Sequence, residues 1–342
     1  MRILILGGTR FIGWHIASAL IREGHTVCVF HRGLTPIEGI DGVGEILGEK
    51  TDLPKCRERL REFGPEQVID CISYTEADGT RLLETFAGEV PQLIFLSSCD
   101  VYRAHAVLTR STDEPLQVSP LTEESPLRTN AFPYRDKASN PDDRRYHYDK
   151  IPVERMLLAE SSWQTTGFRL PAVYGPRDYQ FRVWEYLRRM EAGRKLVLLS
   201  ESFSNWVWGR GYAGNIAAAI CHCVARPSAS NAIYNLSDPV ALSQEEWIQH
   251  IARIAEWPGR IVIVPDEQLP DALKRPYNFA QDWTIDASRF RAATGFIEPF
   301  SIEKSLEKTI VWCRANPPAV SAEQLERWRR EDEAEDRWLA GG

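Results

Sequence analysis

The sequence predicts an α/β fold, a doubly wound parallel sheet with a smaller C-terminal α/β domain. Three observations carry this reading. The first hundred residues alternate short apolar runs with segments of helical period. The first run leads directly into a glycine loop. The chain of 342 residues is long enough for about two domains, and 43% hydrophobic with 26% charged residues describes a globular chain with an ample core.

Each element follows in order. "RILIL" (2–6) is a continuous apolar run, as a strand buried on both faces should be. Phe11, Ile12, Ile16, Leu20 and Ile21 recur at helical spacing until "EGH" ends the helix near Glu23. "TVCVF" (26–30) is a second strand, "LPKCRERLREFG" (53–64) a helix and "QVIDCIS" (67–73) a strand. "DGTRLLETFAG" (78–88) is a helix and "QLIFLSS" (92–98) a strand. Such alternation implies right-handed crossovers and ligands bound beyond the C-terminal strand ends. Residues 103–145 break the rhythm. They are rich in Pro, Ser, Thr and Asp and are expected to be a functional insertion or partly disordered. A helix is predicted over 142–161 and a strand over 165–170. After "YGPRD" (174–178) the elements shorten. "YAGNIAAAICHCV" (212–224) and "AIYNLS" (232–237) read as a helix and strand returning to the sheet. The tail, 321–342, is a charged helix with Trp328 and Trp338, expected to be a solvated lid or an interface element.

Charge and cysteines exclude several classes. A net charge of −7 argues against a nucleic-acid surface. No apolar run approaches a membrane span, and the N-terminus lacks the pattern of a signal peptide. The seven cysteines are scattered. Only Cys221 and Cys223 lie close together, which is poor zinc spacing, so no metal is expected and the thiols are read as reduced, in a cytoplasmic protein.

The loop "GGTRFIG" carries the first chemistry. Gly7 and Gly13 bracket the turn from strand to helix, with Gly8, Thr9, Phe11 and Ile12 between them. Glycine permits positive φ and close approach of a pyrophosphate to backbone N–H groups, which predicts dinucleotide binding. The second strand ends "VFHRG", with no carboxylate to hold a ribose 2′-hydroxyl until Glu38. Arg10 and Arg32 are therefore candidates to clamp a 2′-phosphate, favouring NADP(H) while allowing NAD(H); the bland reading of Arg10 is a solvated helix start.

"RRYHYDKIPVE" supplies the second element. On a helix, Tyr146 and Lys150 share a face, whereas Tyr148 points elsewhere. A nearby ammonium lowers a phenol's pKa and makes it a usable acid and base. "LIFLSSCDVY" places Ser97 and Ser98 at the end of a strand that precedes it.

With these blocks in order, the chain resembles an extended, atypical short-chain dehydrogenase/reductase of the NAD(P)-dependent epimerase/dehydratase family, over about residues 1–315. The matching blocks are the glycine loop, "SSCDVY", and Tyr146-x-x-x-Lys150 followed by "RLPAVYGPRD". The resemblance implies a Rossmann-like sheet, with residues 1–175 as the dinucleotide-binding domain and 209–237 returning to it. It leaves 176–208 and 238–320 as the substrate domain. It also implies Ser98 as the catalytic serine, Tyr146 as acid/base and Lys150 as ribose ligand. Asp52 and Leu53 would lie near the adenine, Ser73 and Tyr74 along the cofactor groove, and Pro171 near the nicotinamide.

The sequence departs from the family pattern in several places. Arg10 replaces the middle glycine, a form similar to a branch that includes chloroplast stem-loop RNA-binding proteins. "GRGYAGN" (209–215) replaces the usual "VDD", against standard nucleotide-sugar contacts. Asp100 stands where dehydratases carry a base, and an N-cap or loop carboxylate is its bland reading. Arg177, Arg182 and Arg210 are candidate anchors for an anionic group on the substrate.

The expected function is hydride chemistry on a hydroxyl or carbonyl of a sugar or nucleotide-sugar-like small molecule. The alternatives are an NADPH-dependent carbonyl reductase and a nucleic-acid-binding or regulatory protein that reuses the fold. A homodimer through the helices at 78–88 and 142–161 is expected by the family's habit.

Overall fold

The computed structural model describes residues 1–224, 226 and 231–341. Seven parallel strands form one sheet in the order β3-β2-β1-β4-β5-β6-β11, the arrangement of a doubly wound nucleotide-binding sheet. They are β1 (Arg2–Leu6), β2 (Thr26–His31), β3 (Gly44–Leu47), β4 (Gln67–Asp70), β5 (Gln92–Ser98), β6 (Gln164–Leu170) and β11 (Ala232–Asn235). The short edge strand β3 has only partial apolar character and is not marked in the sequence pattern.

Alternation along β1 sorts the two faces. Ile3 and Ile5 point toward α1 (Phe11–Arg22) and α8 (Ala213–His222), packing with Ile16, Leu20, Ile216 and Ile220. Leu4 and Leu6 point the other way, toward α2 (Arg57–Phe63), α3 (Glu76–Phe86) and α5 (Lys150–Ala159), packing with Leu60, Leu82 and Leu157. Both sides are filled, which is why the run reads as continuously apolar.

The second core gathers Tyr174, Leu187, Trp247, Ile248, Leu306 and Ile310. It is built from β7 (Ala172–Tyr174), α6 (Trp184–Glu191), β8 (Leu196–Ser200), α7 (Glu201–Asn205), β9 (Val207–Trp208) and β10 (Arg210–Tyr212), with β12 (Leu242–Ser243), α9 (Gln244–Ile254), β13 (Arg260–Val264) and α11 (Ile302–Ala315). Between them α10 (Ser288–Thr294) returns to the first core, where Phe290 meets Phe168 edge-on at 5.5 Å. Of the returning segment 209–237, residues 225 and 227–230 lie outside the described residues, as does Gly342 of the tail.

Three expectations change. The helix read over 142–161 begins only at Lys150, because Asp149 caps it by accepting from the Ile151 N–H. The 103–145 insertion carries a short helix, α4 (Arg103–Leu108), and is pinned in place. Its Leu121 N–H donates to Thr284 and its Arg128 pairs with Asp149 at 2.5 Å, both groups buried. The tail helix α12 (Ala322–Gly341) is docked rather than solvated. Glu335 is fully buried, accepting from Arg189 at 3.0 Å and from the Leu198 N–H at 3.0 Å, while Arg188 stacks 4.4 Å over Trp328. On α3 and α5 no large apolar side chain is exposed among the described residues.

Candidate active site

The glycine loop is a close approach of backbone to backbone. A Cβ on Gly13 would stand 2.2 Å from the Gly7 carbonyl oxygen, so α1 lies directly on the turn. Gly7 has φ +87°, and a Cβ there would strike Ile72 at 2.2 Å; one on Gly8 would meet Val29 at 2.7 Å. Arg10, with Thr9 before it, is the extended residue preceding α1, and no side chain caps the first N–H groups of that helix. Three side-chain-free positions beside open N–H donors form the cradle that a pyrophosphate fits.

At the end of β2, the Gly33 N–H donates to His31 Nδ1, and Nε2 donates to Glu45 at 2.7 Å. The imidazole is thereby committed within the sheet. Arg10 and Arg32 are both exposed, and Arg10 Nε donates to Thr35 Oγ1 at 3.1 Å, reaching the loop that follows Arg32. Asp52 pairs with Lys55 at 2.7 Å, and Leu53 is buried beside it.

Beyond β4 and β5 the polar groups converge. Asp70 accepts from the N–H groups of Ile72 and Ser73, turning the chain after β4. Lys150 is buried, and its Nζ donates to the carbonyls of Ser73 at 2.5 Å and Leu96 at 2.7 Å, 4.7 Å from the Tyr74 ring centroid. Burial lowers the Lys150 pKa, and the Asp70 and Asp100 carboxylates oppose that shift.

The paired serines separate. Ser97 donates to Glu154, which holds Arg169 in a buried ion pair at 2.8 Å, so Ser97 belongs to the scaffold. Ser98 is half-buried at the end of β5, where its hydroxyl accepts from the Asp100 N–H and caps the turn that follows. Asp100 Oδ2 accepts from the hydroxyls of both Tyr148 at 2.8 Å and Tyr134 at 2.9 Å. Burial first, and the Asp100 charge second, push the Tyr148 pKa well up.

Tyr146 lies elsewhere. It precedes α5, so the helical spacing that would put it beside Lys150 does not apply. Its ring packs on Arg135 at 4.8 Å and on His147, and its carbonyl accepts from Arg135. The structure brings Ser98, Asp100, Lys150, Ser73 and Tyr74 together beyond the ends of β4 and β5, where Tyr148 joins them through Asp100 and the Tyr74 ring and Tyr146 does not. The sequence does carry a signal for this. Asp149 followed by Pro152 in the first turn is a helix start. No local pattern marks Tyr134, which reaches Asp100 from the insertion, or His105, whose Nε2 lies 3.3 Å from the Tyr134 hydroxyl.

Pro171 is buried between β6 and β7. The three arginines are committed elsewhere. Arg177 stacks 4.3 Å over Trp14 and donates to the Glu38 carbonyl. Arg182 pairs with Asp178 at 3.2 Å. Arg210 is buried between Trp208 and Trp247, donating to Gln244 at 2.6 Å and to backbone carbonyls, and burial lowers its pKa to about 9.

Comparison with known proteins agrees with this architecture. The profile of the "NAD dependent epimerase/dehydratase family" matches residues 3–237. The chain is 26% identical over 251 residues to the chloroplast stem-loop binding protein of 41 kDa b from Arabidopsis thaliana, covering 69% of this chain and 58% of that one. It is 25% identical over 283 residues to 2′-dehydrokanamycin reductase from Streptomyces kanamyceticus, covering 80% of this chain and 73% of that one. Among solved structures, dTDP-glucose 4,6-dehydratase from Bacillus anthracis, in complex with NAD, shares the fold with a TM-score of 0.67 at 16% identity, over 92% of this chain and 97% of that one. The glycine cradle, the parallel sheet and the family match together identify the chain as a member of the NAD-dependent epimerase/dehydratase family.

Proposed function

We propose that the protein is an NAD(P)-dependent oxidoreductase-type enzyme acting on a hydroxyl or carbonyl of a sugar or sugar-like substrate. The observation that carries this reading is the buried Lys150, whose Nζ is held at the C-terminal ends of β4 and β5 beside the Tyr74 ring, on which Tyr148 stacks. The residues of the glycine cradle fit a dinucleotide, with Lys150, Ser73 and Tyr74 along its path. A bound nicotinamide supplies the hydride acceptor or donor. Ser98 and Tyr148 hold the substrate oxygen, and Tyr148 exchanges its proton with that oxygen. Asp100 orients Tyr148 and Tyr134 through one carboxylate oxygen, a positioning role more than that of an eliminating base. In this assignment Tyr148 takes the place that the spacing gave to Tyr146.

NADP(H) is the preferred cofactor, because Arg10 and Arg32 are exposed cations at the end of β2 and no free carboxylate stands there. That preference, together with the reductase among the relatives, favours carbonyl reduction over epimerisation or dehydration. Titration calorimetry with NADPH and NADH, and mass spectrometry of the purified protein for retained cofactor, test the reading. Absence of binding by both cofactors at millimolar concentration removes it.

The stem-loop binding relative supports a second reading, RNA binding by the same fold. A net charge of −7 weighs against it, and filter binding with a structured RNA at physiological salt decides. Cytoplasmic residence is part of the proposal. So is a homodimer through α3 and α5, which must use a polar face, and light scattering that shows a monomer at micromolar concentration excludes it.

A further inference from the structure

The glycine turn and the segment after β4 are neighbours. Gly7 adjoins Cys71 and Ile72 so closely that a Cβ on it would overlap the Ile72 side chain. A dinucleotide that leaves the cradle toward Lys150 therefore passes Ser73 and Tyr74. Two exposed side chains from distant parts of the chain reach this stretch, and the proposed chemistry uses neither.

The first is Arg144, near the end of the 103–145 insertion. Cations surround the Tyr74 ring: Lys150 Nζ at 4.7 Å from its centroid, Lys50 Nζ at 5.1 Å and the Arg144 guanidinium at 5.9 Å. Lys150 is engaged by two carbonyls, and Lys50 by Asp78 at 2.6 Å. Arg144 is exposed and makes no hydrogen bond or ion pair among the described residues. Its neighbour Arg145 is held by Asp143, and Arg177 and Arg182 are held by the Glu38 carbonyl and by Asp178. Arg144 is thus the cation beside the Tyr74 stretch with its N–H groups free.

The second is Tyr179, in the loop after β7. Arg177 and Phe181 flank it with left-handed backbone, φ +68° and +56°. The loop is tied down on α1, where His15 Nε2 donates to the Pro176 carbonyl at 3.0 Å and Arg177 stacks over Trp14. From that footing the exposed Tyr179 ring stands edge-on to Phe11 of the glycine loop at 6.0 Å. Burial raises the Tyr74 pKa, Tyr179 adds to the rise and Arg144 opposes it, so both side chains come within electrostatic reach of one phenol.

We propose that Arg144 and Tyr179 are the two jaws of a clasp on the dinucleotide, Arg144 pairing with the pyrophosphate from the insertion side and Tyr179 covering it from the glycine-loop side. The inference rests on the reading of the glycine cradle as a dinucleotide site. A guanidinium with free N–H groups matches two phosphate oxygens in one plane. A ring that excludes water from such a pair strengthens it. A substrate group suits Arg144 less well, because the reacting oxygen belongs with Ser98 beyond β5, whereas Arg144 stands over the segment that adjoins the glycine turn.

Calorimetry on the full chain with NADPH and NADH tests the clasp. Arg144→Ala should weaken both cofactors alike, by about tenfold to a hundredfold, the range of a bond to a charged group. ADP-ribose, which carries the pyrophosphate without the nicotinamide, should lose as much. Raising salt from about 50 mM to about 500 mM should weaken NADH on the parent more than on Arg144→Ala, since the variant lacks a pair that salt screens. Tyr179→Ala should speed NADPH release about tenfold in stopped flow, and Tyr179→Phe should stay within about threefold of the parent. Tm of both alanine variants should stay within about 1 °C, because both side chains are exposed, and this keeps a lost contact apart from a lost fold. Unchanged affinity for both cofactors in Arg144→Ala overturns the inference. So does a loss confined to NADPH, a loss accompanied by a large fall in Tm, or unchanged NADPH release from Tyr179→Ala. A parent that binds neither cofactor nor ADP-ribose overturns the functional reading beneath it instead.

Discussion

Replacing Tyr148 by Phe removes one oxygen and leaves the ring stacked on Tyr74 at 6.0 Å and edge-on to Tyr134 at 5.1 Å. Two consequences can be sized. The hydroxyl donates to Asp100, a bond to a charged group worth about 1.5–3 kcal/mol. Tyr134 still satisfies that same oxygen, so a loss of about 1–2 kcal/mol is expected. At about 2.1 cal/mol/K per residue, 342 residues give an unfolding entropy near 0.7 kcal/mol/K, so Tm should fall by about 1.5–3 °C. Turnover should fall much further, by a factor on the order of 10² or more, because the acid/base group itself is gone. Tyr146→Phe is the internal control. Its hydroxyl makes no hydrogen bond among the described residues, and its ring stays on Arg135. Its rate should remain within a few-fold and its Tm within about 1 °C. Loss of NADPH absorbance over a panel of activated ketones and keto-sugars supplies the rate, and scanning calorimetry supplies Tm. If Tyr146→Phe abolishes turnover while Tyr148→Phe spares it, the placement of the helix start does not govern the chemistry and the geometric argument fails.

Other perturbations follow from the same contacts. Arg32→Ala should weaken NADP(H) by about 1.5–3 kcal/mol, roughly tenfold to a hundredfold, and leave NAD(H) nearly unchanged; equal effects on the two cofactors in calorimetry would falsify the 2′-phosphate clamp. Glu335→Ala removes one carboxylate from the buried Arg189, which keeps Glu331 and Asp332, so about 1.5–3 kcal/mol and a Tm fall of about 2–4 °C are expected, and a shift under 1 °C would show that α12 is merely adjacent. Burial holds His15 neutral with its pKa lowered to about 4, below its ordinary 6.5. The unfolded chain takes up that proton first, so stability drains as pH falls from about 6.5 through 4. Asp238, raised to about 6 by burial, acts oppositely, its penalty being relieved as pH falls. The urea midpoint of the parent minus that of His15→Gln isolates the histidine; it should decline from about pH 7 to about pH 4.5, and a flat difference contradicts the assignment.

What the sequence reveals and what it hides divide along a physical line. β1 with its glycine loop is legible because backbone conformation and burial on both faces write themselves into residue type at adjacent positions. Ser98 is legible as one of two serines, but only the Glu154–Arg169 pair, drawn from α5 and β6, shows that Ser97 is taken. The contact of Tyr148 with Asp100 is obscured by a helix drawn too long. The true start is marked by the Asp149 cap and Pro152, a signal the apolar period overrides, and the ion pair that holds Asp149 comes from a residue twenty-one positions away. The arginines fail for a related reason. Nothing in the sequence around Arg210 announces that Trp208, Trp247 and Gln244 will occupy it. The tail reads as solvated because its acidic residues are abundant, yet their partners Arg188, Arg189 and Arg194 lie more than a hundred residues away.

The pairing of Arg128 with Asp149 makes two jobs inseparable. Arg128 belongs to the 103–145 insertion, and Asp149 sets the first turn of the helix that carries Lys150. Arg128 also donates to the Asp100 carbonyl, so one guanidinium ties the insertion both to the turn after β5 and to the start of α5. A graft that exchanges residues 103–145 for the corresponding loop of another enzyme would thus alter the lysine's footing along with the specificity. Exchanges should succeed only where an arginine is retained at the position of Arg128. Recombination that treats the insertion as a detachable cassette would give soluble proteins with a displaced lysine.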